Sequence, residues 1–338
     1  MNGITDTARL QAWLDANVRG YAGVPQLERF SGGQSNPTYK LTSDSGTYVL
    51  RRKPAGTLLA SAHAVDREFR VMRTLDGTAV PVARVLALCE DDAVIGSAFY
   101  IMEYVDGRIL WDTTLPGCTP DERVAMFDSM NATIAALHSV DYGAAGLEGF
   151  GRPDNYLARQ IGRWSKQYRA SETRPIAAMD RLIDWLPARM PGRDGTAVVH
   201  GDYRMDNVIF HPTEPRVIAV LDWELSTLGD PVVDFAYHAM AWRLPPALFR
   251  GLAGVDFAGL GIPPESEYVA RYFERTGQAP VADWDYYIVY SMFRIAAILQ
   301  GVMKRALQGN ASSAQALEVG GRAGSLAEQA WALAQTLG

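Results

Sequence analysis

The sequence predicts an α+β protein with a small β-rich first lobe and a larger, mostly helical second lobe. Three observations lead there. Short runs of strand-forming residues crowd into positions 27–105, with one amphipathic helix among them. From residue 120 onward, apolar residues recur at helical spacing over long stretches. Within that helical part lie two short β-rich runs, 208–210 and 217–221, joined by a turn that holds Pro212 and Pro215. A chain of 338 residues, 48% hydrophobic and 21% charged, has the material for two such cores. The expected division is 1–105 and 106–338.

Taken in order, residues 5–18 read as an opening helix with Leu10, Trp13, Leu14 and Val18 at helical spacing. Residues 27–30 and 38–42 read as strands on either side of a small loop, Ser31-Gly32-Gly33-Gln34-Ser35-Asn36. A turn at 43–46 leads into a third strand, 47–52. Residues 62–75 form a helix whose stripe is Val65, Phe69, Met72 and Leu75. Strands at 80–89 and 99–102 complete the first lobe, and Glu103 to Gly107 joins it to the second. Helices are then expected at 120–138, 155–171, 174–190, 235–241, 265–276, 284–307 and 314–337. Asp234 reads as the N-cap of the helix it precedes, with Asp230 bonding main chain near the loop that follows His200.

That loop carries the chemistry. An apolar run ends at His200, and the chain continues G-D-Y-R-M-D-N into the first run of the hairpin. The hairpin brings Asn207 and Asp222 to its open end, one beside each strand. Two oxygen ligands on adjacent strand ends suit Mg²⁺, which takes few protein ligands and completes its shell with phosphate and water. Asp202 is left at the loop tip. H-x-D-x-x-x-x-N followed by a second aspartate is the spacing of a kinase catalytic loop. The competing reading is a solvated acidic loop before a core hairpin; the length of the gap to L-D-W-E disfavours it. A histidine closing a V-V-H run is a packed residue, so His200 is assigned no chemistry.

H-G-D-Y-R-M-D-N and L-D-W-E-L-S-T-L-G-D-P-V-V-D-F-A resemble the signatures of the aminoglycoside phosphotransferase-like kinases. The resemblance runs over nearly the whole chain. It implies a protein kinase-like bilobal fold, use of ATP and Mg²⁺, and transfer of the γ-phosphoryl group to a hydroxyl of a small molecule. D-W-E stands where protein kinases carry D-F-G, and no A-P-E segment follows, which disfavours a protein substrate. In this frame Asp202 is the catalytic base, and Asn207 and Asp222 hold the metal. Gly33, Ser35 and Asn36 lie beside the phosphates, although the loop lacks G-x-G-x-x-G and alone reads as a plain turn. Tyr48-Val49-Leu50-Arg51 stands where V-A-I-K is expected. Because strand side chains alternate, Arg51 facing the phosphates leaves Val49 to cover adenine, whereas Lys53 in that role would put Arg51 there. Arg51 is therefore preferred. Glu68 is placed to pair with it, with Asp66 as the rival. The Glu103 carbonyl and the Val105 N–H are expected to bind adenine.

Composition narrows the partners. A formal net charge of −6 disfavours a nucleic-acid binder. Two cysteines without a C-x-x-C pair exclude a disulfide framework and fit a reducing cytoplasm. No secretory signal is read at the N-terminus, and residues 288–303 read as too short and too polar for a membrane span. Between Arg152 and Arg189, however, eight basic residues stand against four acidic ones. Arg159, Arg163 and Lys166 share one helix face. With Arg204 and Arg294 they point to an anionic hydroxylated acceptor. G-G-Q-S-N-P-T-Y, S-A-H-A-V-D-R-E and R-P-D-N-Y-L-A-R-Q-I-G-R-W look most like the branch associated with acyl-CoA dehydrogenases, which implies a hydroxy acid or hydroxyacyl-CoA-like acceptor. An aminoglycoside or other amino alcohol is the alternative, and a nucleotide-binding module without turnover is the reading from a different class.

Overall fold

The computed structural model describes residues 7–30, 36–54, 64–193, 195–309 and 315–338. Its elements begin with α1 (Thr7–Asn17), β1 (Gln26–Arg29), β2 (Thr38–Ser43), β3 (Gly46–Arg52), α2 (Val65–Leu75), β4 (Val85–Cys89), α3 (Asp92–Ile95) and β5 (Phe99–Glu103). They continue with α4 (Pro120–His138), α5 (Tyr156–Ser171), α6 (Ala177–Ala188), β6 (Ala197–Val199), β7 (Val208–Phe210), β8 (Val217–Val220) and β9 (Thr227–Gly229). The last are α7 (Pro231–Ala239), α8 (Phe257–Leu260), α9 (Glu265–Thr276), α10 (Trp284–Leu307), α11 (Ala316–Gly321) and α12 (Ala323–Thr336).

Two compact units are formed. The first comprises Met1–Ile109, Gly143–Leu147 and Asp206–Ser226. Its antiparallel sheet runs β1-β2-β3-β5-β4. Strand alternation sends Leu50 into a core with Leu10, Leu14, Tyr39, Phe99 and Ile101. Val49 and Arg51 take the opposite face, where α2 packs with Glu68, Phe69 and Met72 buried. The expected strand at 80–89 is regular only from Val85. Pro81 lacks a ladder N–H, and its carbonyl instead accepts from Val220 at 2.9 Å.

That bond also explains why a single cut at residue 105 does not describe the division. The β7–β8 hairpin is tied into the first unit by main-chain bonds. Arg108 and Phe210 exchange N–H···O bonds of 2.8 and 2.9 Å. Gly107 permits the approach, because a Cβ there would lie 2.4 Å from the Phe210 carbonyl oxygen.

The second unit comprises Leu110–Tyr142, Glu148–Met205 and Thr227–Gly338. A capping box, Thr119 with Glu122, starts α4. The centre is α10, which packs on α5, α7, α11 and α12 and is buried without a break from Tyr286 to Ala297. A helix apolar all round belongs in a core. The expectation that this stretch is too short for a membrane span is corrected: α10 has 24 residues, and among the described residues it alone is long and apolar enough. Its burial marks it as a core helix. One helix was expected at 314–337; two are found, broken near Gly321 and Arg322. Gly320 lies so close to the α10 main chain that a Cβ would sit 2.7 Å from Met303.

Candidate active site

In the first unit, three polar side chains converge on Glu68. Arg51 and Tyr100 are directly opposed across β3 and β5, on the face that α2 covers. Glu68 Oε2 lies 2.8 Å from Arg51 Nε and accepts the Tyr100 hydroxyl at 3.1 Å. Asn36 donates its side-chain N–H to Oε1 at 2.6 Å. Arg51 Nη2 also reaches Asp222 Oδ1 at 2.7 Å, with Glu224 at 3.8 Å. Burial pushes the Glu68 carboxyl up, against the pull of Arg51, Tyr100 and Asn36. Burial alone would lower Arg51; Glu68, Tyr100 and Asp222 outweigh it and hold the guanidinium above its ordinary value. Arg51 is therefore a fixed cation.

The hairpin places two candidate oxygen ligands nearby. Val208 pairs with Val220, and the Asn207 carbonyl accepts the Leu221 N–H at 2.8 Å. Asn207 and Asp222 thus flank the open end. Asp222 has φ +64°, a left-handed conformation uncommon for a residue other than glycine, which turns the chain straight after the strand. One amide oxygen and one carboxylate oxygen are hard ligands that fit Mg²⁺ bound with phosphate and water. Among the described residues, no group of three or more His, Cys, Asp and Glu side chains converges as a metal cage. A site of this two-ligand kind needs none.

In the second unit, Asp202 follows β6 through a tight turn. Gly201 has φ +83°, which only glycine adopts freely. The turn is held from below by Asp234, whose carboxylate accepts the His200 N–H at 2.7 Å and the Gly201 N–H at 2.8 Å. His138 Nε2 lies 3.1 Å from the same carboxylate, and its Nδ1 is 2.7 Å from the Tyr272 hydroxyl. Burial would raise the Asp234 carboxyl, yet His138 and the main-chain donor at His200 hold it below the usual range. His200 Nδ1 accepts the Asp202 N–H at 3.1 Å. Asp202 Oδ1 accepts the Tyr237 hydroxyl at 2.5 Å and lies 3.1 Å from Arg204 Nε.

A profile described as the phosphotransferase enzyme family matches residues 26–281. The chain belongs to that family. The chain is 50% identical over 311 residues to acyl-CoA dehydrogenase family member 10 of Mus musculus, covering 91% of the present chain and 29% of that protein. It is 40% identical over 314 residues to acyl-CoA dehydrogenase family member 11 of Homo sapiens, covering 91% of this chain and 40% of that one. The chain thus spans less than half the length of these curated relatives. Among solved structures, a candidate aminoglycoside phosphotransferase from Ralstonia eutropha JMP134 is 56% identical, with a TM-score of 0.91 and 98% of each chain covered. The fold is therefore the protein kinase-like fold of the aminoglycoside phosphotransferases.

Several expected residues are placed differently from the simplest reading. Gly33 and Ser35 lie outside the described residues. Asn36 is buried, and its amide is turned to Glu68. Asp66 lies 3.7 Å from Lys53, so the two acids of α2 divide between Arg51 on β3 and Lys53 just beyond its end. Val49 is buried opposite Met102. Glu103 ends β5 with its side chain on Arg84, and among the described residues nothing accepts from the Val105 N–H. Arg163 is exposed, and Arg159 donates to the Arg152 carbonyl. Arg294, expected at an acceptor, is buried and donates to the Gly201 carbonyl.

The parts assigned to Asp230 and Asp234 are exchanged. Asp230 caps α7 by accepting the Val232 N–H at 2.9 Å, while Asp234 lies inside that helix and grips the loop. Pro231 is the reason: its fixed φ suits the first helical position, so α7 starts earlier than 235. Sequence reasoning missed Tyr100 and Tyr237. Nothing in the strand pattern singled out Tyr100. Tyr237 stands three residues after Asp234, a helical spacing that could have placed it on the same side.

Proposed function

We propose that this chain transfers the γ-phosphoryl group of ATP, with Mg²⁺, to a hydroxyl of a small anionic molecule of the hydroxy acid or hydroxyacyl-CoA type. The observation that carries the reading is Asp202 set five residues before Asn207, on a loop whose hairpin flanks its open end with Asn207 and Asp222. In this reading Asp202 orients the acceptor hydroxyl and takes its proton. Asn207 and Asp222 bind the metal, which supplies charge neutralisation at the phosphates when bound. Arg51 presents a cation to the phosphates, aimed by Glu68. Asn36 holds Glu68 in that position through its side-chain amide. Val49, the Glu103 carbonyl and the Val105 N–H receive adenine.

Nucleotide use is supported by a likeness in fold to an aminoglycoside phosphotransferase solved as a ternary complex with ADP and hygromycin B, at a TM-score of 0.62 and 15% identity. The acceptor class is supported by the exposed cations Arg163 and Lys166 on α5 and by Arg204 beside Asp202. The test is ADP release from purified protein with ATP and Mg²⁺, across hydroxy acids, hydroxyacyl-CoA esters, aminoglycosides and amino alcohols. Turnover of the anions with little on the drugs is expected. Efficient phosphorylation of the drugs alone overturns the acceptor class, and no turnover with any hydroxylated compound favours the binding-module reading.

A further inference from the structure

We infer that Tyr237 and Arg294 are positioning residues that lock the orientation of Asp202 for transfer. The inference rests on the proposed role of Asp202 and adds two residues to it. Tyr237 lies on α7, and its side chain is 3% exposed. Its hydroxyl donates to Asp202 Oδ1 at 2.5 Å. Burial, and then the Asp202 charge, push this phenol far above its ordinary range, so it remains a donor at every working pH. A hydrogen bond to an ionised carboxylate is stronger than a neutral one and fixes direction as well as energy.

Arg294 on α10 stands behind the tyrosine. Its guanidinium lies 4.5 Å from the Tyr237 ring centroid and 5.5 Å from that of Trp164. It donates through Nη2 to the Gly201 carbonyl at 2.5 Å. One cation therefore fixes the main chain immediately before Asp202 and also backs the ring whose hydroxyl holds the Asp202 side chain. Burial would lower this guanidinium, but the surrounding tyrosines and Asp202 raise it, so the charge is kept. Buried arginines are costly unless their charge is answered. Here it is answered by a carbonyl, two aromatic faces and a carboxylate near the loop. The device controls two torsional freedoms at once: the loop peptide through Gly201, and the side-chain rotamer of Asp202 through Oδ1. A misoriented base costs rate while leaving substrate binding intact.

The experiment compares Tyr237→Phe and Asp202→Ala with the parent in steady-state kinetics on one turned-over acceptor, together with a direct nucleotide-binding titration. Tyr237→Phe keeps the ring under Arg294 and removes one oxygen. A fall in kcat of roughly 10- to 100-fold is expected, with KM for acceptor and nucleotide affinity within about twofold. A kcat for Tyr237→Phe within about twofold of the parent, when Asp202→Ala is inactive, overturns the inference and leaves the assignment of Asp202 standing. Turnover by Asp202→Ala defeats that assignment, and the inference with it. Should Tyr237→Phe not fold, Arg294→Lys takes its place. The same split between kcat and KM is expected there, and parental kcat overturns the inference.

Discussion

Asp234 Oδ2 accepts the His200 main-chain N–H at 2.7 Å, across 34 residues of sequence. The bond ties the loop that carries Asp202 to the first turn of α7. Its partner oxygen does the same for Gly201. A carboxylate suits the task because both oxygens accept. An amide offers one acceptor and turns an N–H toward the other main-chain donor.

Asp234→Asn is therefore expected to destabilise the second unit by about 2–4 kcal/mol, and Asp234→Ala by at least as much, because two buried N–H groups lose their acceptor. The unfolding midpoint in urea reads this directly. An unchanged midpoint for both variants would mean that the loop is held by other means.

A pH dependence follows from His238, which is buried on α7 with Nε2 2.8 Å from the Tyr268 hydroxyl. Burial pulls its pKa down from 6.5 to about 4. Below about 6.5 the unfolded chain takes up a proton that the folded chain refuses until about 4. Stability is thus full above pH 6.5 and falls as pH drops through this window, by up to roughly 3 kcal/mol in all. Thermal melts of the parent and of His238→Gln between pH 7 and pH 4.5 should diverge, with the shallower slope in the variant. Parallel slopes would assign the acid sensitivity elsewhere.

Asp202 and Asp222 should separate binding from turnover. Asp202→Ala is expected to remove turnover and leave nucleotide affinity largely intact. Asp222→Ala is expected to weaken nucleotide binding in the presence of Mg²⁺ as well as the rate. Titration of a fluorescent nucleotide with and without Mg²⁺ distinguishes them, and a matching loss of affinity in both variants would contradict the division of roles.

Arg51 reaches Glu68 and Asp222 from a single planar fork. Arg51→Lys keeps the charge but can engage these carboxylates only from a point. It should cost less than Arg51→Met, which leaves Glu68 buried without its cation. Expected losses in kcat/KM for ATP are about tenfold for the lysine and 100-fold or more for the methionine. Equal, negligible effects would move the phosphate contact to Lys53.

Much of the molecule is written in local pattern. Local pattern set α4, α9 and α10 at their observed bounds: apolar spacing marks all three, a capping box opens α4, and Gly277 closes α9. Strand alternation put Arg51 and Leu50 on opposite faces, and turn chemistry closed the hairpin that sets Asn207 next to Leu221 and Asp222. Tertiary structure decided what periodicity cannot express, namely which of two similar side chains meets a distant partner. Asp230 and Asp234 look alike in G-D-P-V-V-D; the start of α7 at Pro231 made one a cap and the other the anchor of His200. Asp66 and Glu68 look alike on α2, and the register of β3 against β5 gave Arg51 to Glu68. Arg294 reads as a stray cation in an apolar helix until α10 brings it to Gly201 and Tyr237. A buried polar group must find its partner wherever the fold provides one, and that demand acts through space rather than along the chain.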